Sequence, residues 1–191
     1  MSVSVDGFIA GPNGDLEWQL VDDELHQHFN DLLRGMSAFL DGRVMYELMA
    51  EYWPTADKDP AATARMVEFS KIWREMPKLV YSRTLEHADW NATIVRDVVP
   101  EDVRRLKEQP GGDMVLGGAD LTKEFLRHDL IDEIRLYVHP VIVGGGKPLF
   151  QRAEQQRHLR LVETHTFSSG VVLLRYARQV GSQIARLAPT A

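Results

Sequence analysis

No cysteine occurs among the 191 residues of this chain. That absence excludes disulfide frameworks, zinc–thiolate centres and cysteine nucleophiles together. No apolar run comes near the roughly 20 residues that a membrane-spanning helix needs. Positive charge is in deficit as well: 22 Lys and Arg stand against 28 Asp and Glu, a net charge of −6. Binding to a phosphate backbone demands a basic surface, so no nucleic-acid partner is expected. The opening residues, Met1 to Asp6, carry neither the basic start nor the apolar centre of a secretory signal. A soluble, cytoplasmic protein without membrane association is expected.

What is present suits one domain with a sizeable core, because 44% of the residues are hydrophobic. We expect a single domain over residues 1–180 and a tail over residues 181–191, where the apolar pattern is lost. Val3, Val5, Phe8 and Ile9 suggest a first strand running into the turn Gly11-Pro12-Asn13-Gly14. Leu25, Phe29, Leu32 and Leu33 form an apolar helix stripe, with Asp22 or Asp23 at its start. Ser37 to Leu40 reads as a short buried strand. Met45, Leu48, Met49 and Tyr52 then mark a helix face ended by Pro54, and Met66, Phe69, Trp73 and Met76 another.

Further strands are expected at Leu79-Val80-Tyr81, at Val115-Leu116, along Ile134, Leu136 and Val138, and as a terminal antiparallel pair near Leu159–Val162 and Val171–Tyr176. Helices fall between them, from about Pro100 to Gln109 and along Leu121, Phe125 and Leu126. This alternation implies an α/β fold: a mixed, mostly parallel sheet covered by helices on both faces. Such sheets bind ligands at the carboxyl ends of their strands.

Three short motifs stand at such ends. Gly42-Arg43-Val44 opens a helix, Ser82-Arg83-Thr84 follows a strand, and Gly117-Gly118-Ala119 joins a strand to a helix. Glycines let a backbone approach a pyrophosphate, and helix N-termini favour the anion. Guanidinium groups suit phosphate geometry. Each motif alone is equally an ordinary turn. Together they describe a cleft for an elongated ligand carrying several phosphates, such as a dinucleotide with an extra phosphate. The segment Val143-Gly144-Gly145-Gly146-Lys147-Pro148 is not a phosphate loop, because Val141 stands where its first glycine belongs and Pro148 replaces the hydroxyl residue. We expect a turn between sheet elements there. His26 and His28 lie two apart on a helix, which points them to different faces, so no metal site is expected.

These motifs, with Ser4-Val5-Asp6-Gly7-Phe8-Ile9-Ala10-Gly11-Pro12-Asn13-Gly14 and Pro140 to Phe150, resemble the dihydrofolate-reductase-like superfamily. Within it the chain is similar to the reductase domain of the bifunctional riboflavin-biosynthesis deaminase-reductase, in stand-alone form. The resemblance implies a three-layer fold with a sheet of about eight strands and bound NADPH. It assigns cofactor contacts to Ile9, Ala10, Gly42, Arg43, Val44, Ser82, Arg83, Thr84, Leu116, Gly117, Gly118, Ala119, Asp120 and Leu121. It places the pyrophosphate between the two glycine-opened helices, with Arg43 and the Ser82–Thr84 segment at the adenosine 2′-phosphate. Ile9 and Ala10 would approach the nicotinamide, with Leu116 beneath it.

Two departures bear on the chemistry. Few residues precede the Ser-x-Asp-Gly turn, so the first strand is expected either to be abbreviated or to have its start missing from this chain. Riboflavin-pathway reductases carry glutamate before the two glycines, where this chain has Leu116. A replacement acid is offered by Asp23, five positions after Trp18, a spacing similar to that of the pterin-binding acid in dihydrofolate reductases. Asp23 is therefore the candidate catalytic residue, with Trp18 and Asp23 as substrate contacts. The expected activity is hydride transfer from NADPH to a small heterocycle by a homodimer. The alternatives are an NADPH-binding sensor without efficient catalysis, and a dihydrofolate reductase activity.

Overall fold

A computed structural model of the chain describes residues 1–150 and 156–179. The expected tail, residues 181–191, lies outside the described residues. The first strand is two. β1 (Ser2–Ser4) and β2 (Phe8–Ala10) are separated by a turn in which Gly7 has a φ of +88°. There the Ser4 hydroxyl donates to Asp6 and accepts from the Phe8 N–H, which rotates the chain out of a single strand.

α1 (Asp23–Arg34) starts where its stripe predicts, and Asp22 rather than Asp23 is the cap: its carboxylate accepts the Leu25 N–H at 2.8 Å. β3 (Met36–Gly42) leads directly into α2 (Arg43–Tyr52), and a 3₁₀ segment, Trp53–Lys58, follows. α3 (Ala64–Glu75) is capped by Thr63. β4 (Lys78–Tyr81), β5 (Ala92–Val95), α4 (Pro100–Glu108), β6 (Asp113–Gly117) and α5 (Ala119–Arg127) come next. The chain then runs through β7 (Glu133–His139), the two-residue β8 (Lys147–Pro148), β9 (Leu159–Thr166) and β10 (Val172–Arg178).

Hydrogen bonding among the described residues divides these strands into three ladders. One is fully parallel, in the order β5-β4-β3-β6; a mixed one runs β1-β7-β10-β9; β2 pairs with β8. The fold is thus the mixed α/β arrangement expected, with β5 and β8 added to the strands legible in the sequence. Period-two alternation along β3 builds both faces of the parallel ladder. Phe39 packs with Tyr46, Phe69, Trp73 and Val80 on the α2–α3 side, whereas Leu40 packs with Val103, Leu121 and Phe125 on the α4–α5 side.

One expectation about a buried face is corrected. Leu48 and Tyr52 do not face the core; they are 47% and 46% exposed, and Tyr46 is the buried residue of α2. Its hydroxyl donates to the Asp89 carbonyl and accepts the Asp89 N–H, which sets the helix phase. The terminal antiparallel pair is formed as expected, and β10 lies between β7 and β9, with Val171 and Leu173 buried. The edge is β9, all eight of whose residues are exposed.

Candidate cofactor-binding site

β3 and β6 are parallel neighbours, with Leu40 opposite Leu116 and Asp41 opposite Gly117. Each strand hands over to a helix without an intervening loop. Gly42 is the N-cap of α2 and Gly118 the N-cap of α5, and neither receives a side-chain capping bond. Two helix N-termini therefore open side by side at the carboxyl ends of adjacent strands.

Space alone does not require glycine at either helix start: a Cβ on Gly118 would stand 3.8 Å from the Gly42 nitrogen, and one on Gly42 3.7 Å from Leu121 Cβ, both ordinary contacts. Gly118 has a φ of +97°, which side-chain-bearing residues rarely adopt. Gly117 is tighter: a Cβ there would fall 2.3 Å from Asp41 Oδ1 and 3.0 Å from Met45 Cγ. The result is a cradle lined by helix N–H groups without capping side chains. Those donors, together with the two helix dipoles, fit a pyrophosphate.

The guanidinium groups lie at the next strand ends. Gly42 is in register with Tyr81, so Arg43 and Ser82 leave neighbouring strands side by side. Arg43 pairs with Glu47 at 2.7 Å, and Arg83, 81% exposed, pairs with Asp97 at 2.6 Å. Val44 and Thr84 are exposed beside them. The Ser82 hydroxyl is committed to its own turn, accepting the N–H groups of Thr84 and Leu85. Arg96, which the sequence reading passed over, donates to the Ser82 and Leu85 carbonyls and holds that turn shut. Its one signal is adjacency to the strand Ala92–Val95.

Ile9 and Ala10 reach the cradle through β8. Ala10 pairs with Lys147, whose ammonium bridges both carboxylate oxygens of Asp120 at 2.8 Å in the first turn of α5. The glycine run before Lys147 is an ordered turn: Asp6 accepts the N–H groups of Val143 and Gly144, and a Cβ on Gly146 would lie 2.2 Å from the Ala10 carbonyl oxygen. Ala119 and Leu121 are buried under α5, and half-buried Leu116 packs into the α4–α5 core with Leu40 and Leu121.

Trp18 and Asp23 are placed differently from one another. Trp18 donates from Nε1 to the Asp15 carbonyl and meets His139 edge-on at 5.5 Å. The Asp23 carboxylate is 74% exposed and pairs with Arg65 of α3 at 2.9 Å. His139 was not singled out from the sequence. It is fully buried and accepts the Leu20 N–H at Nδ1, so its proton resides on Nε2, which has no partner among the described residues. Burial lowers its pKa, which keeps the ring neutral.

One further acid belongs to the cradle. Asp41 is 2% exposed, and burial pushes its carboxyl up to about 7 against the opposing pull of Lys78. The Lys78 ammonium is itself buried and donates to the carbonyls of Trp73, Met76 and Trp90, with burial bringing it down to about 8. Among the described residues no group of three or more His, Asp or Glu is arranged to hold a metal, and no helix is long and apolar enough to cross a membrane.

Comparison with known proteins agrees with this architecture. The chain is 40% identical over 177 residues to the uncharacterized protein YyaP of Bacillus subtilis, covering 92% of this chain and 91% of that one. A solved structure from Shewanella sp. PV-4, assigned to riboflavin biosynthesis, superposes with a TM-score of 0.74 at 20% identity, covering 94% of this chain and 97% of the other. The Thermotoga maritima diaminohydroxyphosphoribosylaminopyrimidine deaminase/5-amino-6-(5-phosphoribosylamino)uracil reductase superposes with a TM-score of 0.60 at 17% identity; 93% of this chain matches 55% of that one. The family model described as "RibD C-terminal domain" matches residues 1–173, and the chain therefore belongs to the RibD C-terminal domain family.

Proposed function

We propose that this protein is an NADPH-dependent reductase acting on a small heterocyclic substrate. The observation that carries the reading is the pair of glycine-opened helix N-termini, without capping side chains, at the ends of the neighbouring strands β3 and β6. Family membership supports it, since the Thermotoga relative is named as a reductase. Bound NADPH supplies hydride. The chain binds and orients: the first turns of α2 and α5 hold the pyrophosphate, and Arg43 and Arg83 meet the 2′-phosphate.

Both arginines already hold carboxylates, and the magnitudes decide whether that matters. Exposed ion pairs contribute about 0.2–1 kcal/mol, whereas a hydrogen bond to a charged group contributes about 1.5–3 kcal/mol. A phosphate therefore displaces Glu47 and Asp97. Fluorescence titration should give NADPH at least about tenfold tighter binding than NADH. Arg83→Ala should remove most of that preference and leave NADH unchanged. Equal affinities in the wild type would sink the 2′-phosphate assignment.

For the substrate, Leu116 offers no proton, and its packing against Leu40 and Leu121 makes it a core residue. We therefore expect weak turnover of the phosphoribosylaminopyrimidine intermediate of riboflavin synthesis, and a flatter, more apolar substrate beside Trp18. NADPH oxidation with that intermediate and with dihydrofolate, offered separately, tests this. Robust reduction of the first would restore the riboflavin assignment. If dihydrofolate turns over, Asp23→Asn should depress the rate. A second reading, an NADPH-binding sensor without efficient catalysis, is favoured by the Asp23 carboxylate lying in solvent against Arg65; tight NADPH binding with no turnover of either compound would select it.

The proposed enzyme is a homodimer. The exposed edge strand β9 carries Leu159, Leu161 and Val162, all at least 39% exposed. Such an edge is a template for pairing with a second copy. Light scattering should give twice 21.7 kDa at micromolar concentration; a monomer mass would count against it.

A further inference from the structure

We infer that Asp41 couples ligand binding at the glycine cradle to proton uptake, so that a pyrophosphate-bearing ligand binds with the Asp41 carboxyl protonated. The inference rests on the pyrophosphate reading of the cradle. Asp41 is the residue before the N-cap of α2 and stands in register with Gly117, the residue before the N-cap of α5. Its Oδ1 occupies the space a Gly117 side chain would fill. An anion seated on the two helix N-termini is therefore close to this carboxyl group, which lies one residue before the Gly42 N-cap and against Gly117 beneath the first turn of α2.

The carboxyl has no other commitment. It is 2% exposed and makes no hydrogen bond among the described residues. The elements packed around it offer little charge: α2 presents Met45, β6 presents Gly117, and β4 presents Lys78. The Lys78 ammonium is saturated by the carbonyls of Trp73, Met76 and Trp90 and forms no ion pair with Asp41. Arg43 and Asp120, at the starts of the two helices, are turned to Glu47 and Lys147 at the surface.

A carboxylate and a pyrophosphate in adjoining, poorly solvated positions repel strongly. Taking up one proton removes that repulsion without moving any atom of the cradle. Burial has already brought the carboxyl to about 7, so the protonated form is accessible at neutral pH. Linkage then fixes the sign. Below this value Asp41 is already protonated and affinity is flat; above it, each pH unit weakens binding by up to about tenfold. The effect belongs to the pyrophosphate, so NADPH and NADH should share it. The 2′-phosphate titrates near pH 6 and leaves the alkaline range clear.

The test is isothermal titration of NADPH and NADH from pH 6.5 to 9 in two buffers of different ionisation enthalpy, on wild type, Asp41→Asn and Asp41→Leu. The wild type should take up close to one proton at pH 8 and lose about tenfold in affinity between pH 8 and 9. Both variants should bind without proton uptake and with a flat profile. The wild-type count shows whether a proton is taken up, and either Asp41 variant assigns it to Asp41 rather than to Lys78, which burial brings to about 8; the isosteric Asn and the apolar Leu give two chances of a folded variant. Wild-type binding without proton uptake, or an unchanged slope in Asp41→Asn, would overturn the role of Asp41 and leave the cofactor reading standing. Absence of binding by all three proteins at every pH would overturn the cofactor reading and the coupling with it.

Discussion

Two pairs of helix starts in this protein contrast; α4, which opens on Pro100 after an uncapped Val99, belongs to neither pair. α1 and α3 begin with side-chain caps, Asp22 accepting the Leu25 N–H and Thr63 accepting the Met66 N–H. α2 and α5 begin on Gly42 and Gly118, with no capping side chain, at the ends of the neighbouring parallel strands β3 and β6. Glycine in place of a side-chain cap costs only about a few tenths of a kcal/mol, so two such starts are a small cost to the fold. The capped helices close their ends with their own side chains. The uncapped pair keeps those donors available to a ligand, and the same place holds a buried acid whose ionisation burial opposes. Stability is invested around the site and withheld from it.

The strongest way to break this comparison is to give the cradle a side chain. Gly117→Ala puts a methyl 2.3 Å from Asp41 Oδ1 and 3.0 Å from Met45 Cγ, so both buried side chains must shift. NADPH affinity should fall at least about 100-fold, roughly 2.7 kcal/mol, and the melting temperature should drop as well. Calorimetry and fluorescence titration check both; a protein that melts and binds as the wild type does would remove the close approach from the account.

A second experiment relieves the cost instead. The folded state raises the Asp41 pKa from the ordinary Asp range to about 7, so it binds more protons there than the unfolded chain. Stability is therefore lost as pH rises from about 4 to 7, by roughly 4 kcal/mol at the upper end. Asp41→Asn should be more stable than wild type at pH 8, and the gain should vanish towards pH 4. Urea unfolding at the two pH values measures it. A gain of equal size at both would show that charge is not the cause.

The smallest effect is expected on the capped side. Asp22→Ala removes the α1 cap and a 2.9 Å bond from Ser168, for a loss of about 1–2 kcal/mol. Cofactor affinity should not change. If it did, the separation between capped and ligand-facing helix starts would fail.

Much of the fold was legible because its signals are local. The stripe Leu25–Leu33 with an adjacent aspartate, Pro100 at the start of α4, and the alternation along β7 each follow from spacing within one turn or pleat. β5 and β8 were not legible, since four residues after a turn and a two-residue bridge carry no period. The α2 face was misread for a related reason. Four apolar residues in about two turns allow more than one buried face, and Tyr46 was selected by its two hydrogen bonds to Asp89, 43 residues away.

The sequence by itself determined where ligand-friendly backbone stands: glycines at two strand-to-helix junctions and arginines at two strand ends. Propensity and spacing act over a few residues, and those features need no more. Only the tertiary structure decided that the two junctions are neighbours, because parallel pairing of β3 with β6 joins residues more than seventy positions apart. It alone committed the Ser82 hydroxyl to a turn, put Asp23 in solvent and buried His139 under Trp18. It also turned Asp41, an unremarked strand residue, into a titratable group beside the cradle, because the cost of a buried charge depends on what the rest of the chain brings around it.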